Sequence, residues 1–329
     1  RYSENSDGAL SRALGLANSG PISVDLDGTG QASNFMLTYG LKTQFAAPLS
    51  GQLSMSGNTT GTHVLATLNG DLSPLIDSPV AALKRAGNMA VELDLSILND
   101  KRISVNHLQV ASQTLSAQGK AAFDANHWPE QFQLNVTVAP GTLSEDLAQV
   151  SGVDTEFGEG QFELSYNRTL GDQWTLNADF QDAGFGAYQA TRSGIVGKGK
   201  IGVKPAALDD NWINGVISLT ATQLSGPQDI QPLINGDITA GFEFNYSAQT
   251  GLGLKNITAK SKDVSVTGQL TLPADYAEIT ANLALDMREL TVIRPLTRML
   301  DLAGSAQAQA DITYHFGDGE FSLSSTLQT

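Results

Sequence analysis

Apolar and polar residues alternate with period two along most of the chain. Ile22, Val24 and Leu26 are interleaved with Ser23 and Asp25, and Val91, Leu93, Leu95 and Ile97 with Glu92, Asp94 and Ser96. Phe132, Leu134, Val136 and Val138, then Trp174, Leu176, Ala178 and Phe180, and finally Ile279, Ala281, Leu283, Leu285 and Met287 repeat the scheme. Successive side chains of a strand point to opposite faces, so each run predicts a strand with one apolar and one wet face. Turn signals recur every 8–12 residues, and roughly 18–20 strands are expected.

A glycine followed by apolar residues at its second and fourth successors recurs at Gly51, Gly119, Gly160, Gly199, Gly215, Gly268 and Gly304. A turn glycine with positive φ would explain the rule, the chain reversing there before the next strand. Helical signals are short: Ser78 to Arg85, with Pro79 in the first turn, then Thr142 to Val150, and Val292 to Leu302, broken by Pro295. An internal echo relates Asp71–Ile76 (D-L-S-P-L-I) to Asp229–Ile234 (D-I-Q-P-L-I), and Ser112–Gly119 to Ser261–Gly268. It reads as a diverged duplication with a helix in the first copy only. The expected fold is therefore all-β: a long, curled, antiparallel and repetitive sheet, groove-like, with a few short helices. Residues 1–152 form a first β-repeat segment and 153–329 a second one continuing the same sheet. The run Phe321 to Thr329 ends inside a strand-like alternation, which points to a piece of a longer chain.

Charge and composition narrow the function. The 329 residues include 34 acidic and 19 basic ones, a formal net charge of −15, dispersed without long like-charge runs. Such a chain repels nucleic-acid backbones, so no nucleic-acid partner is expected. There is no cysteine, which removes disulfides, thiolate catalysis and cysteine-bound metals. Together with the richness in Gly, Ser and Thr, this points to an extracytoplasmic location.

Catalytic signatures are missing. His63, His107, His127 and His315 are scattered without a partner at metal-ligand spacing. Asp25 to Gly30 (D-L-D-G-T-G) resembles the start of a calcium loop, but its twelfth position is Met36, and a β-turn explains it better. Gly197 to Gly202 (G-K-G-K-I-G) matches a dinucleotide fingerprint only formally, since it leads into a strand and not a helix. The reading is a non-enzyme with no cofactor and no metal.

What remains is the apolar face. It is either the packed interior of a sandwich or solenoid, or an open trough. Aliphatics of moderate size, many Ala and Gly, and only 7% aromatics favour the trough. Stacked at about 4.8 Å, so many strands would make a sheet about 90 Å long, too long for one compact core. A continuous trough would suit phospholipid acyl chains. Its candidate lining is Val91, Leu93, Leu95, Phe132, Leu134, Val136, Trp174, Leu176, Phe180, Ile217, Leu219, Leu270, Leu272, Leu283 and Leu285. An extracellular β-array that binds its ligand through exposed aromatic rows is the rival, yet three Trp and seven Tyr supply no obvious row.

Several runs are also familiar as a set: R-A-L-G-L (Arg12–Leu16) with G-P-I-S-V-D-L-D-G-T-G-Q-A-S-N-F (Gly20–Phe35), L-S-G-Q-L-S-M-S-G (Leu49–Gly57) and N-G-D-L-S-P-L-I (Asn69–Ile76). With Leu108–Ala125 and G-D-Q-W-T-L (Gly171–Leu176), they resemble the periplasmic repeat region of TamB-like proteins of the AsmA-like superfamily, particularly alphaproteobacterial ones. The resemblance implies an inner-membrane-anchored periplasmic protein whose curled sheet carries phospholipids toward the outer membrane. It also implies an outer-membrane barrel partner of the TamA type and a link to assembly of outer-membrane barrel proteins. The family offers no catalytic residues to carry over.

Overall fold

The computed structural model describes residues 2–4, 21–31, 33–42, 48–71, 87–142, 152–202, 211–293, 303–317 and 319–328. The predicted helix Ser78–Arg85 and nearly all of Thr142–Val150 and Val292–Leu302 lie outside these. The protein is all-β and antiparallel, with twenty strands among the described residues. It divides into two compact units, Arg1–Thr169 and Leu170–Thr329.

The first unit runs β1 (Tyr2–Glu4), β2 (Ile22–Gln31), β3 (Asn34–Lys42), β4 (Leu49–Gly57), β5 (Gly61–Asp71), β6 (Asn88–Leu98), β7 (Ile103–Ala111), β8 (Leu115–Phe123), β9 (Pro129–Val138), β10 (Thr155–Glu156) and β11 (Gly160–Asn167). From β1 to β9 each strand pairs with the next, and β11 pairs with β9.

The second unit runs β12 (Gln173–Phe185), β13 (Tyr188–Gly202), β14 (Trp212–Leu224), β15 (Gly236–Ser247), β16 (Gly251–Lys260), β17 (Val264–Leu272), β18 (Glu278–Met287), β19 (Ala306–His315) and β20 (Phe321–Gln328). It too is a meander of consecutive antiparallel pairs. Among the described residues no pairing joins the first strand of either unit to its last, so neither closes into a barrel. No helix among the described residues is long and apolar enough to cross a membrane.

Bulges keep the apolar side chains together where the alternation breaks. In Ile103–Val110 (I-S-V-N-H-L-Q-V), Val105 and Leu108 differ in parity, and strict alternation would send one of them to the wet face. The register between β7 and β8 shifts between them, so Asn106 and His107 together oppose one residue. The register between β16 and β17 shifts in the same way between Leu254 and Ile257, where Asn256 has φ 49°. These positions lie 149 residues on, the offset that also relates Ser112–Gly119 to Ser261–Gly268.

Three sequence expectations are corrected. Gly51, Gly119, Gly199, Gly215 and Gly268 lie inside strands without positive φ, Gly160 opens β11, and only Gly304 of that series has positive φ, 98°. Asp25–Gly30 is not a turn but extended chain within β2, which stays paired with β3 up to Gln31 and Asn34. The second copy of the echo, expected to lack a helix, carries one: Gln231–Ile234 makes a single turn, with Pro232 in the first-turn position its fixed φ suits.

Candidate functional site

Directly paired residues of an antiparallel sheet share a face, so the register assembles the site row by row. In the first unit one row reads Leu26, Tyr39, Gly51, Leu68, Val91, Val110, Ala117, Val136 and Phe162 from β2 to β11. The next reads Gly28, Leu37, Leu53, Ala66, Leu93, Leu108, Gly119, Leu134 and Leu164. The third reads Gly30, Phe35, Met55, Val64, Leu95, Val105, Ala121, Phe132 and Tyr166. Apart from the hydroxyls of Tyr39 and Tyr166, no polar side chain interrupts these rows. Val91, Leu93, Leu95, Phe132, Leu134 and Val136 all stand in them.

The second unit repeats the arrangement. Trp174, Gly199, Gly215, Phe244, Leu254, Leu270, Ala281, Ile312 and Leu323 form one row. Beside it lie Leu176, Gly197, Ile217 and Phe242, continued past the bulge by Ile257, Gly268, Leu283 and Ala310. A third row reads Ala178, Ile195, Leu219, Ala240, Ala259, Val266, Leu285 and Ala308. Phe180 and Leu272 lie on the same face in the rows outside these. The register thus gathers the candidate lining residues of each unit onto one face.

That face is not covered like a core. In the three rows of the first unit only Gly51 and Tyr166 are buried; the leucines and valines are half-buried or exposed. A sandwich would bury them against a second sheet, yet among the described residues each strand makes extensive contact only with its neighbours in the meander. Trp174 and Phe180 are the two lining residues that are buried, at 7% and 5% exposure. The Trp174 ring lies across Gly197 and Gly215, which offer no side chain of their own. Its Nε1–H donates to the Asn214 carbonyl at 3.1 Å, and Phe244 lies 5.9 Å away. The indole is a floor fixed by glycine. Tyr39 does the same across Gly51, its hydroxyl donating to the Thr67 carbonyl at 2.9 Å.

Each face is closed at one end of its strands. In the first unit Leu49 and Met89 are buried there with Leu41, Leu68, Val91 and Val110 against them. In the second, a 3-10 turn at Leu290–Ile293 folds over the end of β18, so that Met287, Leu290 and Ala306 are buried together.

The opposite face is polar and holds the titratable groups. Asp94 accepts hydrogen bonds from Asn106 Nδ2 at 2.7 Å and His63 Nε2 at 2.8 Å. These bonds, Asn106's first, hold its carboxyl below the usual range. A cavity of about 270 Å³ at the β16–β17 turn is lined on this face by Thr258, Lys260, Ser265, Thr267 and Asp286. Its lining also includes Ala259 and Val266 of the third apolar row.

One feature escaped the sequence reading: an aromatic group at the second unit's other end, built from exposed Tyr246, Tyr276, Phe316 and Phe321 with half-buried Tyr314. These residues are scattered over 76 positions of chain, from 246 to 321, and only the strand register brings them together.

Comparison with models of known protein families gives no match, and no curated protein is similar to the chain at a significant level.

Proposed function

We propose that this chain is a segment of a periplasmic lipid-transfer bridge, anchored in the inner membrane in its full-length form, whose apolar β-face carries phospholipid acyl chains toward the outer membrane. The observation that carries this reading is the apolar surface of each unit, spread over nine strands in the first with only the Tyr39 and Tyr166 hydroxyls as polar groups, and half-buried where a packed core would be covered. Exposing an acyl chain to water costs about 0.8 kcal/mol per CH₂, roughly 12 kcal/mol for a sixteen-carbon tail. A face of Leu, Val, Ala and Gly removes most of that cost. Because the rows vary little in chemistry, a chain bound at one strand meets nearly the same surface at the next. Sliding needs no reactive group. The resemblance of the repeats to TamB-like sequences supports the same reading.

The test is a lipid-transfer assay with charged substitutions at Leu134→Asp, Leu176→Asp and Leu283→Asp. The expected result is a block of transfer with the β-signature in circular dichroism retained, since half-exposed positions tolerate a charge better than a packed core does. Unimpaired transfer by the triple variant would refute the proposal.

A second reading is a scaffold for nascent outer-membrane barrel strands working with a TamA-type partner, taking them up by strand addition through backbone hydrogen bonds at a sheet edge. Crosslinks from the sheet to unfolded barrel substrates, with no lipid bound, would select it.

A further inference from the structure

The two ends of the second unit's apolar face differ. One end is closed by buried Met287, Leu290 and Ala306. At the other, Tyr246 is 40%, Tyr276 57%, Phe316 52% and Phe321 62% exposed. Tyr246, Tyr314 and Phe321 end the apolar face, Tyr314 being paired with Phe321, while Tyr276 and Phe316 stand in the turns just beyond. The strand ends bring them together: the Tyr314 and Phe316 rings meet edge to face at 5.1 Å, and the Phe316 N–H donates to the carbonyl of Ala277, next to Tyr276, at 3.0 Å. The adjoining residues 273–280 and 312–322 contain Asp275, Glu278, Asp318 and Glu320 and neither Lys nor Arg; the one basic side chain among them, His315, lies 3.4 Å from Glu278.

Aromatic faces attract cations, and ammonium groups are the usual cargo of aromatic clusters. Rings with a polar tip also sit where an apolar phase meets water. Carboxylates beside these rings repel an anionic headgroup and complement a positive one. We propose that this rim receives the ammonium end of a zwitterionic phospholipid headgroup, with the acyl chains lying along the strands toward Met287 and Ala306. The span suits this: Tyr314 to Ala306 is eight residues of strand, about 27 Å, whereas one leaflet's chains need about half of a hydrocarbon core of ~30 Å. The inference rests on the lipid-carrying function proposed above and adds to it an orientation and a headgroup preference.

The test loads the purified chain from an equimolar mixture of phosphatidylethanolamine and phosphatidylglycerol with identical acyl chains and counts bound species by native mass spectrometry. Severalfold enrichment of phosphatidylethanolamine is expected. Tyr276→Ala with Phe316→Ala, both in exposed turns, should bring the ratio near one, as should Asp275→Asn with Glu320→Gln. Lys262→Ala, at the opposite end of the strands, should leave the preference intact. Lipid bound without preference, or a preference untouched by the rim variants, overturns the assignment of the rim alone. No bound lipid at all overturns the carrier function with it.

Discussion

Glycine decides how closely side chains of neighbouring strands can lie on the apolar face. A methyl group at Gly51 would meet the Thr67 carbonyl and the Tyr39 ring, and one at Gly215 would meet the Trp174 ring and the Lys198 carbonyl. The carbonyls belong to the ladder and cannot swing aside. Gly51→Ala is therefore expected to destabilise the protein by about 1–3 kcal/mol, the usual cost of forcing volume into a packed place. Chemical denaturation checks this, and an unchanged midpoint would show that the ring and strand yield freely. The same residues explain why the sequence misled. A turn glycine and a glycine on the face can both precede apolar residues by two and four positions. Gly51, Leu53 and Met55 share one parity, however, and that parity marks the glycine as a member of the stripe.

At the scale of the elements, the strands were legible because alternation is strong, and the bulges were not. Val105 and Leu108 look like a break in a strand until the partner's register shows two residues opposing one. Deleting His107 removes the extra residue and should turn one half of β7 so that its apolar side chains face water. Loss of hydrogen-exchange protection from β6 to β8 is expected, and retention of full protection would contradict this role. The β8–β9 turn offers a titration test. Asp124 accepts hydrogen bonds from the backbone N–H of Asn126 at 2.8 Å and of Trp128 at 3.1 Å, and from Arg168 Nη1 at 3.0 Å. The Trp128 bond foremost, then that of Asn126 and the Arg168 guanidinium, holds the carboxyl below its ordinary value. A folded-state value below the unfolded ~3.9 means that the stabilisation is complete above that pH and is lost as pH falls through the lower folded value. An NMR titration of Asp124 should give a midpoint below ~3.9. Asp124→Asn should remove this contribution to the acid sensitivity of the turn. A midpoint at or above the ordinary value would mean that these hydrogen bonds do not favour the charged form.

For the molecule as a whole, the lining residues were readable from period two alone, because position on a strand fixes the face. Whether that face is covered was not readable, since a sandwich strand and a trough strand share one pattern. The coverage depends on what packs above the sheet, and half-exposed Leu93, Leu134 and Leu283 answer it for the described residues. The aromatic rim was illegible for a related reason: its members meet only through the pairing of β15 to β20. The central claim is that acyl chains occupy these faces, and site-specific photocrosslinking in cells tests it most directly. A benzophenone side chain placed at Leu134 or Leu283 should yield phospholipid adducts, whereas one at Asn135 or Asn282, on the polar face, should not. Equal labelling of both faces, or none on the apolar one, would contradict the account.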